Sequence, residues 1–188
     1  MTSKGLSIAL AAGLVALGGC DSANQSATAS DGAEAVKEAG DKTITASLDE
    51  KGRFLALAKS AGLDATLSGP GPYTVFVPED AAFDGLPEGT AEAWSSPEAR
   101  PEVTRTLSYH ILPGTVLAAD IGKAIDNGDG KATLATMGGG ELTATREGDK
   151  IILTDGSGSK STIVKADETL ANGVVHRVDR VLLPAAEG

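Results

Sequence analysis

The stretch of sequence that decides the fold is Tyr73-Thr74-Val75-Phe76-Val77-Pro78-Glu79-Asp80-Ala81-Ala82-Phe83. Its first five residues are all aromatic or β-branched, which favours a short β-strand. Pro78 cannot donate a hydrogen bond to a neighbouring strand, so it marks the end of this strand. Asp80 is suited to cap a short helix over the next three residues. The stretch therefore predicts a strand that passes directly into a helix.

Helical patterns lie on both sides of this stretch. Upstream, Gly62 is placed to end a first helix. The apolar residues from Leu48 onward fall mostly at helical intervals: Leu48, Phe54, Leu55, Leu57, Ala58, Ala61 and Leu63. A Gly-Pro-Gly-Pro run at 69–72 then breaks the chain. Downstream, a second helix is predicted within 97–106, and it leads into an apolar segment that Pro113-Gly114 closes.

The last third of the chain has the pattern of consecutive β-strands. Residues 141–146 and 150–154 form two of these predicted strands, separated by a Glu-Gly-Asp turn. A glycine- and serine-rich turn at 156–160 separates them from strands at 162–166 and 173–183. Early helices followed by consecutive short strands indicate an α+β domain.

Three segments, in this order, resemble the signatures of the fasciclin family. The first is the 73–83 stretch, and the second is Tyr109-His110-Ile111-Leu112-Pro113-Gly114. The third is Asn172-Gly173-Val174-Val175-His176-Arg177-Val178-Asp179-Arg180-Val181-Leu182-Leu183-Pro184. The first segment departs from the family pattern at Val77, where the family often has Ala. Together the segments place a fasciclin-like domain at 43–188.

The resemblance implies a compact wedge of two β-sheets with several short α-helices. It also implies extracellular adhesion or ligand binding, without a known set of catalytic residues. The Tyr-His segment of the family has been linked with adhesion, which makes Tyr109 and His110 candidate binding residues. Animal members carry an acidic residue beside an apolar one before the third signature. Asp167 and Leu170 occupy that neighbourhood here, although they are separated.

The N-terminus has the layout of a signal peptide. Lys4 precedes an apolar or small run at 6–17, which is about half of the ~20 residues that a membrane-spanning helix needs. Leu17-Gly18-Gly19-Cys20 resembles the lipobox of bacterial lipoproteins, in which the cysteine is acylated. Residues 1–19 are therefore predicted to be removed and Cys20 to carry lipid. The alternative is an ordinary secretory peptide with an incidental cysteine. In bacterial lipoproteins an Asp directly after the acylated cysteine, here Asp21, can favour retention in the inner membrane.

Residues 20–42 are predicted to be a flexible tether. After Cys20 they contain no Leu, Ile or aromatic residue, so they cannot bury enough surface to order themselves. A coil of 22 residues spans roughly 25 Å, which would hold the domain clear of the lipid headgroups.

Composition excludes several functional classes. The formal charge of -10 and the pI near 4.6 argue against nucleic-acid binding, which depends on Lys and Arg neutralising phosphates. Sparse aromatic residues weaken the case for a platform that stacks bases or sugars. The single cysteine has no partner for a disulfide.

His110 and His176 are the only histidines of the chain. Strand alternation places His176 on one face with Val174 and Val178, so a buried imidazole with a hydrogen-bonding partner is expected. Tyr109 is equally consistent with a core residue whose hydroxyl finds a partner. The competing hypothesis is a metal or small-ligand site, which would require both imidazoles to open into one pocket.

The apparent catalytic and ligand motifs fail in their local context. The Ser157–Lys160 run lies in a turn between strands, whereas the nucleophile of that enzyme class begins a helix. The Asp126–Gly130 run lacks carboxylates at the third and twelfth positions of a calcium loop. Residues 138–140 precede a strand, so no helix N-terminus would hold a phosphate there. No catalytic residue, metal site or cofactor is therefore predicted.

The functional prediction is a lipid-anchored, extracytoplasmic module, on the periplasmic side or the cell surface, that adheres to or binds a macromolecule. Its expected partners are the membrane, through the anchor, and an envelope or extracellular protein or polysaccharide. The alternative is a periplasmic lipoprotein that binds a small ligand or metal through His110 and His176. A hydrolase would need a nucleophile with a plausible base, which the sequence does not supply.

Overall fold

The structure is a computed structural model that describes residues 40–186. The α-helices are α1 (Ile44–Ser47), α2 (Arg53–Ala61), α3 (Asp64–Ser68), α4 (Thr90–Ala93), α5 (Arg100–Tyr109) and α6 (Ala118–Asn127). The 3-10 helices are Asp80–Gly85 and Pro97–Ala99. The strands are β1 (Tyr73–Pro78), β2 (Ile111–Pro113), β3 (Lys131–Ala135), β4 (Glu141–Glu147), β5 (Lys150–Thr154), β6 (Lys160–Leu170) and β7 (Gly173–Val178). The helices are mostly early and the strands mostly late, which confirms the α+β prediction.

The strands are hydrogen-bonded in the order β2-β1-β7-β6-β5-β4-β3. All the pairs are antiparallel except β1 with β7, which is parallel. The first residues of β6 pair with β5, and its later residues pair with β7. β6 therefore links the β5 side of the sheet to the β7 side. Just after β3, the backbone N–H of Met137 donates to the carbonyl of Ile111 in β2 at 2.8 Å.

Two hydrophobic clusters fill the domain. In β1, Val75 and Val77 point into a cluster shared with α2 and α5, whereas Phe76 points into a cluster shared with α6 and strands β4 and β5. Because both faces of β1 are buried, its sequence is almost continuously apolar. The described members of both clusters all lie within 44–183, so this part of the chain contains a core of its own.

The local predictions are confirmed in part. Gly62 ends α2 in a left-handed conformation, as expected. Asp80 does not cap the helix that follows it, because Glu79 occupies the N-cap position. Instead, the Asp80 carboxylate accepts a hydrogen bond from the backbone N–H of Arg53, the first residue of α2, at 3.0 Å. It thus satisfies a free donor at the start of a different helix.

The predicted strands at 162–166 and 173–183 have different bounds in the structure. The segment between these two predicted strands belongs mostly to β6, which continues to Leu170 with register shifts. β7 ends at Val178 rather than at 183. There the Asp179 carboxylate accepts a hydrogen bond from the backbone N–H of Thr162 at 2.7 Å, and the chain leaves the sheet.

The first described residues already contact the domain. Gly40 forms a β-bridge with Leu170, and the carbonyl of Lys42 accepts a hydrogen bond from Ala171 at 2.9 Å. The end of the predicted tether is therefore paired with the end of β6. The predicted signal peptide, Cys20 and the rest of the tether lie outside the described residues. Among residues 40–186, none of the helices has the length and apolar character needed to cross a membrane.

Candidate functional site

Asn172, at the start of the third signature, is a buried hydrogen-bonding hub. Its Oδ1 accepts from the backbone N–H of Ile44 at 2.8 Å, and its Nδ2 donates to the carbonyls of Leu67 and Gly69, each at 2.9 Å. The β6–β7 turn is thereby tied to α1 and to the end of α3. The next residue, Gly173, is the first residue of β7 and pairs with Tyr73 of β1.

The His176 side chain is fully buried, as strand alternation predicted. Its Nε2 lies 2.8 Å from the carbonyl of Val116, and its Nδ1 accepts from the backbone N–H of Asp167 at 3.2 Å. The ring stacks on Phe76 with centroids 5.5 Å apart. Burial lowers the pKa of His176, because the charged form would be desolvated. Neutral His176 thus links β7 to β6 and to the segment before α6.

His110 has a similar structural role at the other side of β1. Its Nδ1 donates to the carbonyl of Thr106 at 2.8 Å, and its Nε2 accepts from the backbone N–H of Leu182 at 3.0 Å. The His110 and Phe54 rings pack in a T-shaped arrangement with their centroids 6.0 Å apart. Burial lowers the pKa of His110 to about 4, so the imidazole is neutral at pH 7. His110 holds the C-terminal segment against α5.

Tyr109 bridges two turns of the β-structure from the end of α5. Its hydroxyl donates to the carbonyl of Glu141 at 2.6 Å and accepts from the backbone N–H of Gly156 at 2.9 Å. A Cβ on Gly140 would lie 2.7 Å from the ring, so only glycine allows this close approach. Gly138 and Gly140 therefore allow close packing against Tyr109, whereas Gly139 between them has a φ of 84° and an open environment.

We expect Tyr109→Phe to destabilise the domain by about 1 to 3 kcal/mol, because the N–H of Gly156 and the carbonyl of Glu141 lose their shared partner. Urea unfolding monitored by circular dichroism measures the change. Tyr73→Phe is the matched control, since the half-buried Tyr73 hydroxyl makes no hydrogen bond to the described residues. Equal losses for the two variants would contradict this role of Tyr109.

The structure corrects the expectation that the Tyr-His segment presents a binding surface. Tyr109 is 1% exposed, His110 is 0% exposed and Leu170 is 5% exposed, because each packs in the interior. Asp167 is the one predicted binding residue that reaches solvent. The pairing of Asp167 with Leu170 as a joint recognition element is also not seen, since one faces outward and the other lies in the core.

The exposed feature in this region is a bulge in β6. The pairing of β6 with β7 shifts register between Ile163 and Glu168. Residues 164–167, which we call the bulge surface, are all exposed, and Val164 is 48% exposed. Asp167 has a φ of 60°, which is unusual for a residue with a side chain. Its Oδ1 accepts from the backbone N–H of Ala118, the first residue of α6, at 2.8 Å.

A groove of about 420 Å³ adjoins the bulge surface through Lys165. Its walls combine apolar and charged residues: Leu48, Asp49, Gly52, Phe54, Leu55, Val77, Pro78, Glu79, Asp80, Lys165 and Arg177. Glu168 lies 3.7 Å from the Lys165 ammonium and 3.8 Å from the Arg177 guanidinium, so it offsets both positive charges. The bulge surface and this groove form a continuous mixed surface that the sequence analysis did not identify as a whole.

The geometry does not favour a metal or small-ligand site at the histidines. Both ring nitrogens of His110 and of His176 are used in hydrogen bonds to the backbone. Within residues 40–186, no group of three or more His, Cys, Asp or Glu side chains is placed to hold a metal ion. Both residues are 0% exposed, so neither imidazole reaches solvent in the described part of the chain.

Comparison with known proteins places these features in a family. The model of the fasciclin domain matches residues 51–184. Protein sll1483 of the bacterium Synechocystis is 35% identical over 131 residues, which cover 70% of this chain and 66% of that protein. Transforming growth factor-beta-induced protein ig-h3 of Sus scrofa is 30% identical over 71% of this chain but only 17% of its own length. The chain thus spans just under two thirds of the Synechocystis protein and a small part of the animal protein.

The fold is also similar to a solved structure, that of a FAS1 domain pair from the insect cell adhesion molecule Fasciclin I. The TM-score is 0.56 at 18% identity, over 76% of this chain and 51% of that one. This likeness confirms the α+β fasciclin fold that the resemblance implies.

Proposed function

Because the chain belongs to the fasciclin domain family, we propose that it is an extracytoplasmic binding module that contacts an envelope or extracellular protein or polysaccharide. Fasciclin domains act in adhesion or binding in related proteins such as the insect adhesion molecule. The proposed role requires no catalysis, and the side chains of Tyr109, His110 and His176 make hydrogen bonds to the backbone inside the domain.

The observation that supports this proposal is the contrast between the buried signature residues and the exposed bulge surface that they hold. His176 accepts the backbone N–H of Asp167, so a core residue fixes the position of an exposed one. Val164 supplies apolar area and Lys165 supplies charge beside the groove. Apolar contacts with a polar surround are typical of surfaces that recognise macromolecules.

The proposed anchor is the acylated Cys20 with the tether that follows it. We expect metabolic labelling with palmitate to mark the wild-type protein and the substitution Cys20→Ser to abolish the label, because the thiol is the acylated group in a lipobox. Cell fractionation should find the wild-type protein with membranes and the variant released. A wild-type protein that is soluble and unlabelled would refute the anchor.

The binding role is tested by immobilising residues 43–188 and measuring retention of envelope proteins and of envelope polysaccharides separately. We expect one of the two fractions to be retained and Val164→Asp to weaken that retention. Met137→Asp is the matched control, because Met137 is similarly exposed, at 47%, but lies on the β3–β4 turn. The proposal fails if neither fraction is retained, or if both variants behave alike.

A further inference from the structure

His176 is held in one protonation state by its two partners. A carbonyl oxygen, that of Val116, faces Nε2 at 2.8 Å, so this nitrogen carries the hydrogen. A backbone N–H, that of Asp167, faces Nδ1 at 3.2 Å, so this nitrogen carries the lone pair. Both nitrogens of the neutral ring are therefore satisfied without water.

Asp167 links this imidazole to the protein surface. Its Oδ1 accepts the backbone N–H of Ala118 at 2.8 Å and lies 3.9 Å from Nδ1 of His176. Its left-handed backbone is disfavoured for a residue with a side chain, so the hydrogen bonds of the bulge hold it there. We call this arrangement of His176, Asp167 and Ala118 the bulge latch.

We infer that the bulge latch is acid-sensitive, such that protonation of His176 releases the β6 bulge and the start of α6. A proton on Nδ1 would face the N–H of Asp167, which removes the hydrogen bond and sets two donors against each other. The Asp167 carboxylate can accept the new proton's hydrogen bond only by moving closer, away from Ala118. The lost hydrogen bond of the Asp167 N–H and the shift of its carboxylate would each open the bulge.

The surroundings of the ring offer no other charged partner within the described part of the chain. From β1 the ring meets Phe76, and from the segment before α6 it meets the carbonyl of Val116. Asp167 on β6 is the carboxylate that faces it. The charged neighbours further along β6 and β7 (Lys165, Glu168 and Arg177) lie against one another. Asp167 is therefore the residue that we expect to move when His176 is protonated.

The direction of the pH effect follows from burial. Because burial lowers the pKa of His176 in the closed latch, an opened or unfolded chain binds the proton more readily. The closed latch is thus fully favoured above the ordinary pKa of 6.5 and loses stability as the pH falls below it. This regulation does not depend on what the bulge surface binds.

The test is hydrogen exchange of the full chain in mild detergent, followed by mass spectrometry from about pH 7.5 to about pH 5 and corrected for the intrinsic pH dependence of exchange. We expect protection of peptides covering 114–121 and 163–170 to fall at least about tenfold on acidification. Peptides from 131–154 should stay protected, as an internal control against global unfolding. In the variant Asp167→Asn the bulge should open at a lower pH, because the carboxylate that favours the charged ring is removed. Asparagine tolerates the left-handed backbone, so the bulge conformation is retained.

His176→Asn removes the titrating group while it retains an acceptor for the N–H of Asp167, and its corrected exchange at the bulge should not change with pH. If that variant does not fold, ¹³C-labelled histidine in the wild-type chain gives the same information. The His176 signal should then shift in step with opening of the bulge while His110 stays neutral. Bulge protection that is independent of pH, or that falls together with the whole domain, would overturn the inference.

Discussion

Gly173→Ala is expected to abolish the folded state or to destabilise it by more than about 4 kcal/mol. Gly173 has a φ of 153° and pairs with Tyr73 where β7 meets β1. A Cβ at this position would overlap the carbonyl oxygen of Tyr73 and lie 2.8 Å from its carbonyl carbon. Because the obstacle is backbone in a central strand pair, the two strands would have to separate. Circular dichroism and urea unfolding measure the loss.

Gly85→Ala is the matched control for Gly173→Ala. A Cβ on Gly85 meets no atom within 4 Å, and the residue lies at the exposed end of a 3-10 helix. The free energy of unfolding of this variant should lie within about 0.5 kcal/mol of the wild-type value. If Gly173→Ala were as stable as Gly85→Ala, the parallel pairing of β1 with β7 at this position would be wrong.

Asn172→Ala is expected to lower the free energy of unfolding by about 3 to 5 kcal/mol, because it leaves the N–H of Ile44 and the carbonyls of Leu67 and Gly69 without their partner. The Asn172 side chain is almost fully buried, so water cannot replace these bonds without local opening. Urea unfolding gives the magnitude, and hydrogen exchange should show the first loss of protection at Ile44.

The control for Asn172→Ala is Asn127→Ala at the exposed end of α6. It should leave stability unchanged within about 0.5 kcal/mol. An Asn172→Ala variant with wild-type stability would show that the turn between β6 and β7 is held by other contacts.

Local signals predicted much of the fold. The run from Tyr73 to Val77 became β1, and Gly62 ended α2, because apolar alternation and glycine act over a few residues. The turns between β4, β5 and β6 were also marked by glycine, serine and aspartate. α6 and β3 were missed. The inward face of α6 carries Ile121 and Ile125 beside Gly122, and that of β3 carries Ala132 and Leu134, so few large apolar residues mark either element.

The candidate site was predictable only in its buried part. Alternation along β7 indicated that His176 faces the core, and the structure confirms it. Its partner Val116 lies 60 positions away and presents a backbone carbonyl, so no residue type could have revealed it. The bulge at Asp167 was likewise hidden, because Lys-Ala-Asp-Glu resembles a loop when its pairing with β7 is not known.

We propose that the bulge surface, and not the buried Tyr-His segment, contacts the partner. The direct measurement is the Kd of the immobilised domain for its retained partner, compared between Val164→Asp and Tyr109→Phe at a temperature where both are folded. We predict that Val164→Asp weakens binding at least about tenfold with little change in Tm. Tyr109→Phe should lower Tm and leave Kd nearly unchanged. Weaker binding by Tyr109→Phe together with an unaffected Val164→Asp would contradict the claim.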